Sequence, residues 1–229
     1  MREIVFDTET TGLDPGSGDR MVEIGCIEIF NRIETGRTFH AYFNPEREMP
    51  FGAEAVHGLT TIFLSDKPLF SDKAEELLEF IGDAPLVAHN ASFDFAFMNF
   101  ELERCGRPPV SMSRMVDTLT LARTRHPGAK HSLDALCVRF GIDRSQRVKH
   151  GALLDAQLLA QVYVELTGGR QIGLGLVADT AAIHVNPASG PVVTREPRPA
   201  RPHFAAVEEL ERHRAFIAKL VNPLWARFA

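Results

Sequence analysis

Apolar and polar positions along the first 168 residues follow two different periods. Residues 2–7 (REIVFD), 21–30 (MVEIGCIEIF), 37–43 (RTFHAYF) and 85–88 (PLVA) are short, apolar and rich in β-branched or aromatic side chains, which predicts strands. Segments 72–82, 92–105, 131–140 and 151–167 carry helical spacing instead. The last has the clearest pattern: Leu154, Leu158, Val162 and Leu166 recur every fourth residue, and Leu159 and Tyr163 widen the stripe. Gly168 and Gly169 then stop it, as glycines do at helix C-termini. Three early strands followed by strand–helix alternation predict an α/β domain, a mixed sheet flanked by helices.

The texture changes after the two glycines. Residues 178–203 hold Pro187, Pro191, Pro197, Pro199 and Pro202 in a polar, arginine-containing stretch, which reads as an extended linker. A helix resumes from Phe204 to about Val221, with Val207, Leu210, Ile217 and Leu220 near one face, and Leu224 and Trp225 follow. A single helix cannot bury its own apolar face, so this segment is expected either to fold back on the domain or to dock on a partner, and the long proline-rich tether favours the partner. The implied organisation is a domain over 1–169, a short segment over 170–177, the linker over 178–203, and a helix and tail over 204–229.

Composition fits this division. A chain of 229 residues that is 45% hydrophobic supports one well-cored domain plus an appendage. Cys26, Cys105 and Cys137 are odd in number and far apart, which argues against a disulfide framework or a zinc knuckle and suits a reducing compartment. The N-terminus has no signal-peptide pattern and no apolar run approaches the ~20 residues that span a bilayer, so a cytoplasmic protein with no membrane association is expected.

Chemistry concentrates at three places. Asp7 and Glu9 close the first strand and, two residues apart, project from one face. Two carboxylates forced together repel, and a divalent cation relieves that repulsion. Asp94 follows the strand at 85–88 and falls in the first turn of a helix whose buried stripe is predicted to be Phe93, Phe97 and Phe100. His150 and Asp155 are five apart, so they do not share a helix face. His150 must sit before the helix at 151–167 or at its very start, and Asp155 one turn into it. Each piece alone has a plain structural explanation, but four acids in these contexts beside one histidine together point to a divalent-cation site.

The segments DTETTGL (7–13), HNASFDFAFM (89–98) and HGALLDA (150–156) resemble, in order, the three motifs of the DEDDh exonucleases. Within that family they look most like the epsilon, or DnaQ-like, proofreading subunits of bacterial DNA polymerase III. The likeness extends through VHGLT (56–60), HSLDALCVRFGI (131–142) and ALLDAQLLAQVYVELTGG (152–169). It implies a ribonuclease H-like fold and hydrolysis of 3′-terminal phosphodiesters with two divalent cations, Mg²⁺ or Mn²⁺. Carried over by position, the metal carboxylates are Asp7, Glu9, Asp94 and Asp155, and the general base is His150. Thr10, His57, Phe93 and Asn90 correspond to residues around the terminal nucleotide, and His89 lies nearby. His131, before another helix, reads as structural.

The resemblance also gives the appendage a purpose. Gln171, Leu174 and Leu176 resemble the pattern by which polymerase accessory proteins enter the groove of the sliding clamp. The terminal helix with Leu220, Leu224 and Trp225 resembles a polymerase-binding segment. A formal charge of −5 disfavours a protein that grips DNA by phosphate neutralisation alone, and tethering to a DNA-bound polymerase removes that difficulty. Two other functions are compatible with parts of the pattern: a free-standing DEDDh exonuclease acting on RNA or short oligonucleotides, and a non-catalytic adaptor between clamp and polymerase.

Overall fold

The computed structural model describes residues 1–145, 147, 149–169 and 204–220. Gln171, Leu174, Leu176, the stretch 178–203, Leu224 and Trp225 lie outside the described residues. The chain divides into two units, Met1–Leu176 and Val177–Ala229.

The first unit is built on a five-stranded sheet in the order β3-β2-β1-β4-β5, from β1 (Arg2–Thr10), β2 (Met21–Phe30), β3 (Ile33–Tyr42), β4 (Leu86–Ala88) and β5 (Met115–Asp117). The β1–β2–β3 meander is antiparallel, whereas β4 and β5 join parallel to β1. Strand β5 and the helices α1 (Phe51–His57), α2 (Thr61–Leu64) and α5 (Thr118–Arg125) add to the predicted elements. Three residues of strand or four of helix give periodicity too little length to register, and α1 and α5 bury too few positions to show a stripe, only His57 in the first and Thr118 and Ala122 in the second. The predicted helices, α3 (Phe70–Ile81), α4 (Ala91–Arg104), α6 (Leu133–Phe140) and α7 (Ala152–Leu166), agree with the predicted spans to within about two residues.

Side-chain alternation divides the sheet into two faces. Ile4, Phe6, Ile24 and Cys26 pack with Phe70, Leu77, Phe95 and Met98 of α3 and α4. Val5, Ile27, Ile29 and Val87 pack with Ala156, Leu159, Ala160 and Tyr163 of α7 on the other face. Two expected stripes need correction. In α4 the buried line is Ala91, Asp94, Phe95, Phe97, Met98 and Leu102, with Phe93 and Phe100 only partly buried on its flanks. Helix α7 is apolar on two sides because it is wedged between the sheet and α6: Leu158, Val162 and Leu166 meet Leu136 and Cys137, while Leu154 is only half-buried. A single four-residue stripe describes a helix on a surface, not one covered from both flanks.

Three polar ties set the helices against the sheet. Arg20, at the start of β2, forks onto Glu101 of α4 at 2.7 and 3.0 Å, with both side chains buried. Tyr163 of α7 donates its hydroxyl to Glu3 of β1 at 2.7 Å. Asp117, at the end of β5, accepts from the backbone N–H of Asn90 at 3.0 Å and of Leu119 at 3.0 Å, fixing the starts of α4 and α5 together. Burial opposes ionisation of Asp117, but the Thr120 hydroxyl and these N–H groups win and pull its carboxyl below the usual range.

Among the described residues the three cysteines are free, and no helix is long and apolar enough to cross a membrane. In the second unit α8 (Val207–Ile217) forms within the expected helix, and Phe204, Val207, Leu210, Phe216 and Leu220 are exposed.

Gly25 lies opposite Asp7 in the β1–β2 ladder. A Cβ at Gly25 would fall 2.3 Å from the Leu153 nitrogen and 2.5 Å from the Ala152 carbonyl carbon, both backbone atoms that cannot step aside. Replacing Gly25 with Ala must push α7 off the sheet and is expected to cost on the order of 3 kcal/mol, the upper end of ordinary overpacking. Chemical denaturation of the full chain measures this, and a loss under about 0.5 kcal/mol, the range of an ordinary surface substitution, would show that the close approach is relaxed in solution.

Candidate active site

The end of β1 delivers Asp7 and Glu9 to the α7 face of the sheet, while Thr8 points to the α4 face and donates its hydroxyl to Asp94 at 2.7 Å. Asp94 stands in the first turn of α4, reached through Asn90, which takes a left-handed conformation (φ 65°) held by Asp117. Asp155 stands in the first turn of α7, brought over Asp7 by the close packing at Gly25. His150 precedes α7, with Gly151 as its N-cap, and its ring is 46% exposed. Asp7, Glu9, Asp94, Asp155 and His150 thus all line one cleft of about 730 Å³.

The electrostatics reflect that crowding. Desolvation, followed by Asp94, Glu9, Asp155 and Glu23, holds the Asp7 carboxyl well above the usual carboxylate range. Burial, then Glu23, Asp155 and Asp94, pushes Glu9 up to about 8, with Arg147 opposing. Burial raises Asp94 to about 7 against the hydrogen bond from Thr8. Glu23 sits directly across the ladder from Glu9 and is itself held by His40 at 2.7 Å.

The donor set suits a hard divalent cation. Ligand atoms of Glu9, His150 and Asp155 lie within 4.8 Å of one another, and Glu9 Oε1 is buried with no hydrogen-bond partner. An unpaired buried carboxylate oxygen is costly unless a cation or a proton takes it. His150 therefore stands among the candidate metal donors as well as near the reacting centre, a position the expected role of base did not include.

The remaining expected residues fall in two places. Thr10 and His57 line an adjoining, mainly apolar pocket of about 490 Å³, and Phe93 forms the wall it shares with the cleft. Thr10 donates its hydroxyl to the Gly12 carbonyl at 2.6 Å, and His57 Nδ1 accepts from Leu59 N–H at 3.0 Å, leaving His57 Nε2 buried without a partner. Burial pulls the His57 ring below its ordinary value, so it stays neutral. Asn90 and His89 line the main cleft instead, and His89 Nδ1 is 2.9 Å from the Thr118 hydroxyl. His131 pairs with the His126 carbonyl at 2.8 Å and also borders the cleft.

Sequence reasoning passed over Arg147. Its Nε and Nη2 contact the two Asp155 oxygens at 2.5 and 2.7 Å, and its Nη1 reaches Asp134 at 2.9 Å. The available signal was its place three residues before His150 in RSQRVKHG, but a basic residue in a polar loop carries no periodicity to mark it.

The chain matches the exonuclease family (RNase_T) over residues 4–163. It is 49% identical to DNA polymerase III subunit epsilon of Rickettsia felis over 225 residues, covering 97% of this chain and 98% of that protein. With the epsilon subunit of Escherichia coli the identity is 41% over 221 residues, covering 93% and 91%. The chain belongs to the epsilon-subunit exonucleases. Among solved structures it is similar to Exonuclease X in complex with 5′ overhanging duplex DNA, at TM-score 0.56 and 25% identity over 72% of this chain and 90% of that one. Exonuclease I of E. coli in complex with a dT13 oligonucleotide shares the fold at TM-score 0.61 and 19% identity, over 72% of this chain and 41% of that one. The epsilon relatives align well past residue 163, so family membership extends beyond the exonuclease domain proper.

Glu9 carries a pH prediction. The folded chain keeps a proton on Glu9 up to about pH 8, whereas the unfolded chain loses it near the ordinary value of 4.5. The unfolded state therefore binds fewer protons across that interval, so the stability contributed by protonated Glu9 is complete below pH 4.5 and disappears as pH rises to 8. Glu9→Gln cannot ionise and escapes the loss. In chelator, its thermal midpoint should gain on the parent chain steadily from pH 5 to pH 8, and a constant difference across that range would show that Glu9 ionises as easily folded as unfolded.

Proposed function

We propose that this chain is the cytoplasmic proofreading subunit of a replicative DNA polymerase, hydrolysing the 3′-terminal phosphodiester of DNA to release nucleoside monophosphates. The observation that carries the reading is the convergence of Asp7, Glu9, Asp94, Asp155 and His150 in one cleft of an epsilon-family exonuclease. The four acids are the ligands for two divalent cations, Mg²⁺ or Mn²⁺, and the unpaired Glu9 oxygen supports that use. Such cations, when bound, acidify water and offset charge building on the phosphate.

The chain's own residues supply the remainder. Imidazole is the side chain suited to exchanging a proton near neutral pH, so His150 takes the proton of the attacking water, and its exposed ring can pass that proton to solvent. Thr8 holds Asp94 in a fixed orientation through its hydroxyl. Thr10, His57 and Phe93 receive the terminal base and sugar in the apolar pocket, with His57 Nε2–H offered as a donor, while Asn90 faces the cleft. A frayed terminus enters this pocket more readily than a paired one because it has less stacking to lose.

The appendage provides the tethers. Gln171, Leu174 and Leu176 bind the sliding clamp, and the segment with Leu220, Leu224 and Trp225 binds the catalytic polymerase subunit. The exposed apolar side chains of α8 and Leu220 support the second contact. Tethering raises the local concentration of the nuclease at the 3′ end to about the millimolar range, so weak intrinsic DNA binding suffices for an acidic chain.

Two experiments test the reading. Release of terminal nucleotide from matched and mismatched primer–templates should need a divalent cation, and Asp7→Asn should lower kcat by about 10³-fold or more, with His150→Ala lowering it roughly 10²–10⁴-fold. Retention of full activity by Asp7→Asn would remove Asp7 from the site. The double substitution Leu224→Ala, Trp225→Ala should leave hydrolysis of single-stranded DNA unchanged while weakening binding to the catalytic polymerase subunit. Unaltered binding would reassign the contact.

A further inference from the structure

We propose that Arg147 is a positioning residue that competes with divalent cations for Asp155, so that loading the metal and unmasking His150 are one event. This inference rests on the reading of Asp155 as a metal ligand. Arg147 lies between α6 and α7, and its side chain is only 9% exposed. Its guanidinium spans three groups at once. Nε and Nη2 hold the two Asp155 oxygens at 2.5 and 2.7 Å, Nη1 holds Asp134 at 2.9 Å, and Nη2 also lies 2.8 Å from His150 Nδ1.

A carboxylate forked by a guanidinium has both oxygens turned toward the fork. A divalent cation needs one of those oxygens at about 2.1 Å and brings two positive charges to the same place. Guanidinium and metal repel one another and claim the same lone pairs, so Asp155 serves one or the other. While Arg147 is on Asp155, it supplies the positive charge that a carboxylate only 2% exposed requires beside Glu9 and Asp7.

Asp134 gives the displaced guanidinium a place to go. It is half-exposed and stands outside the group of four acids, and it is also held by Arg144 at 2.9 Å. Arg147 can leave Asp155 and keep its hold on Asp134 by a swing of the side chain. The same swing takes the N–H away from His150 Nδ1, the nitrogen that also lies 3.2 Å from Asp155. In the tautomer whose Nδ1 accepts from Arg147, the lone pair of His150 is then released only when a cation has claimed Asp155, which ties the base to the loaded site.

The test uses the full chain as parent, Arg147→Met, Arg147→Lys and Asp155→Asn. Thermal midpoints are recorded in chelator and across a Mn²⁺ titration, and Mn²⁺ affinity is measured by calorimetry. Arg147→Met should lower the midpoint in chelator, recover most of the loss at saturating Mn²⁺, and bind Mn²⁺ about tenfold more tightly. Arg147→Lys keeps the charge without the fork and should fall between the two. A midpoint deficit that is the same with and without Mn²⁺, or a Mn²⁺ affinity that is unchanged or weaker, would overturn the proposal and leave Arg147 a strut. Should Arg147→Met be unfolded in chelator, the Mn²⁺ affinity of Arg147→Lys decides by the same criterion. Asp155→Asn should abolish the Mn²⁺-induced shift, and a shift that persists would overturn both this inference and the site reading beneath it.

Discussion

Like charges gathered in a poorly hydrated cleft impose the constraint around which this fold is arranged. Desolvation holds Asp7, Glu9 and Asp94 above their ordinary pKa values, and neighbouring acids add to it, Asp117 in the case of Asp94, so ionising them together works against the folded chain. Nothing about the local sequence would keep such groups together. They stay because each is mounted on an element whose position is fixed by interactions elsewhere. The Arg20–Glu101 fork and Asp117 fix α4, and the Glu3–Tyr163 contact and the apolar seam with Ala156, Leu159 and Ala160 fix α7. The core supplies the energy, and the acids are placed where a cation can use their repulsion.

The central strand makes this geometry available. β1 is antiparallel to β2 on one side and parallel to β4 on the other, so its C-terminal end lies beside the entry into α4 and beneath the start of α7. Alternation along the strand then sends Asp7 and Glu9 to the α7 face and Thr8 to the α4 face, where it meets Asp94. Three adjacent residues thereby address two different helices. Gly25 contributes the distance: with no side chain opposite Asp7, the α7 backbone descends onto β2, and Asp155 comes with it.

What could be read from the sequence follows the same physics. The longer elements were legible because eight or more residues with a clear stripe establish a period. The acids' places at strand and helix ends followed from those elements, and their role from the resemblance carried by DTETTGL, HNASFDFAFM and HGALLDA. Strand β5, three half-buried residues, and the four-residue α2 offered no period at all. Phe93 and Phe100 were assigned to the core of α4 because aromatic residues are apolar. In the structure Phe95 and Met98 take that role and Phe93 borders both pockets. Arg147, Asp134, Glu23 and Asp117 escaped notice for a different reason. Their importance lies in partners remote in the chain or across a sheet, such as Glu23 opposite Glu9, and no local pattern encodes a tertiary neighbour.

The same charge balance bears on how such an enzyme avoids degrading sound DNA. An acidic protein whose cleft gathers four acids does not grip a phosphate backbone by charge neutralisation unless cations stand between them. On the proposed function, productive contact with a 3′ end depends on loaded metal and on delivery by a tether, neither of which distinguishes paired from unpaired ends. On that reading discrimination falls to the apolar pocket beside the cleft, which Phe93 walls and where His57 Nε2 is buried without a partner. Filling that pocket requires a base free of its stack, and its binding energy is offset by whatever stacking and pairing the terminus must surrender. Weak general affinity is therefore a condition of selectivity here, because a tighter grip on the backbone would supply enough energy to pull apart correctly paired ends as well.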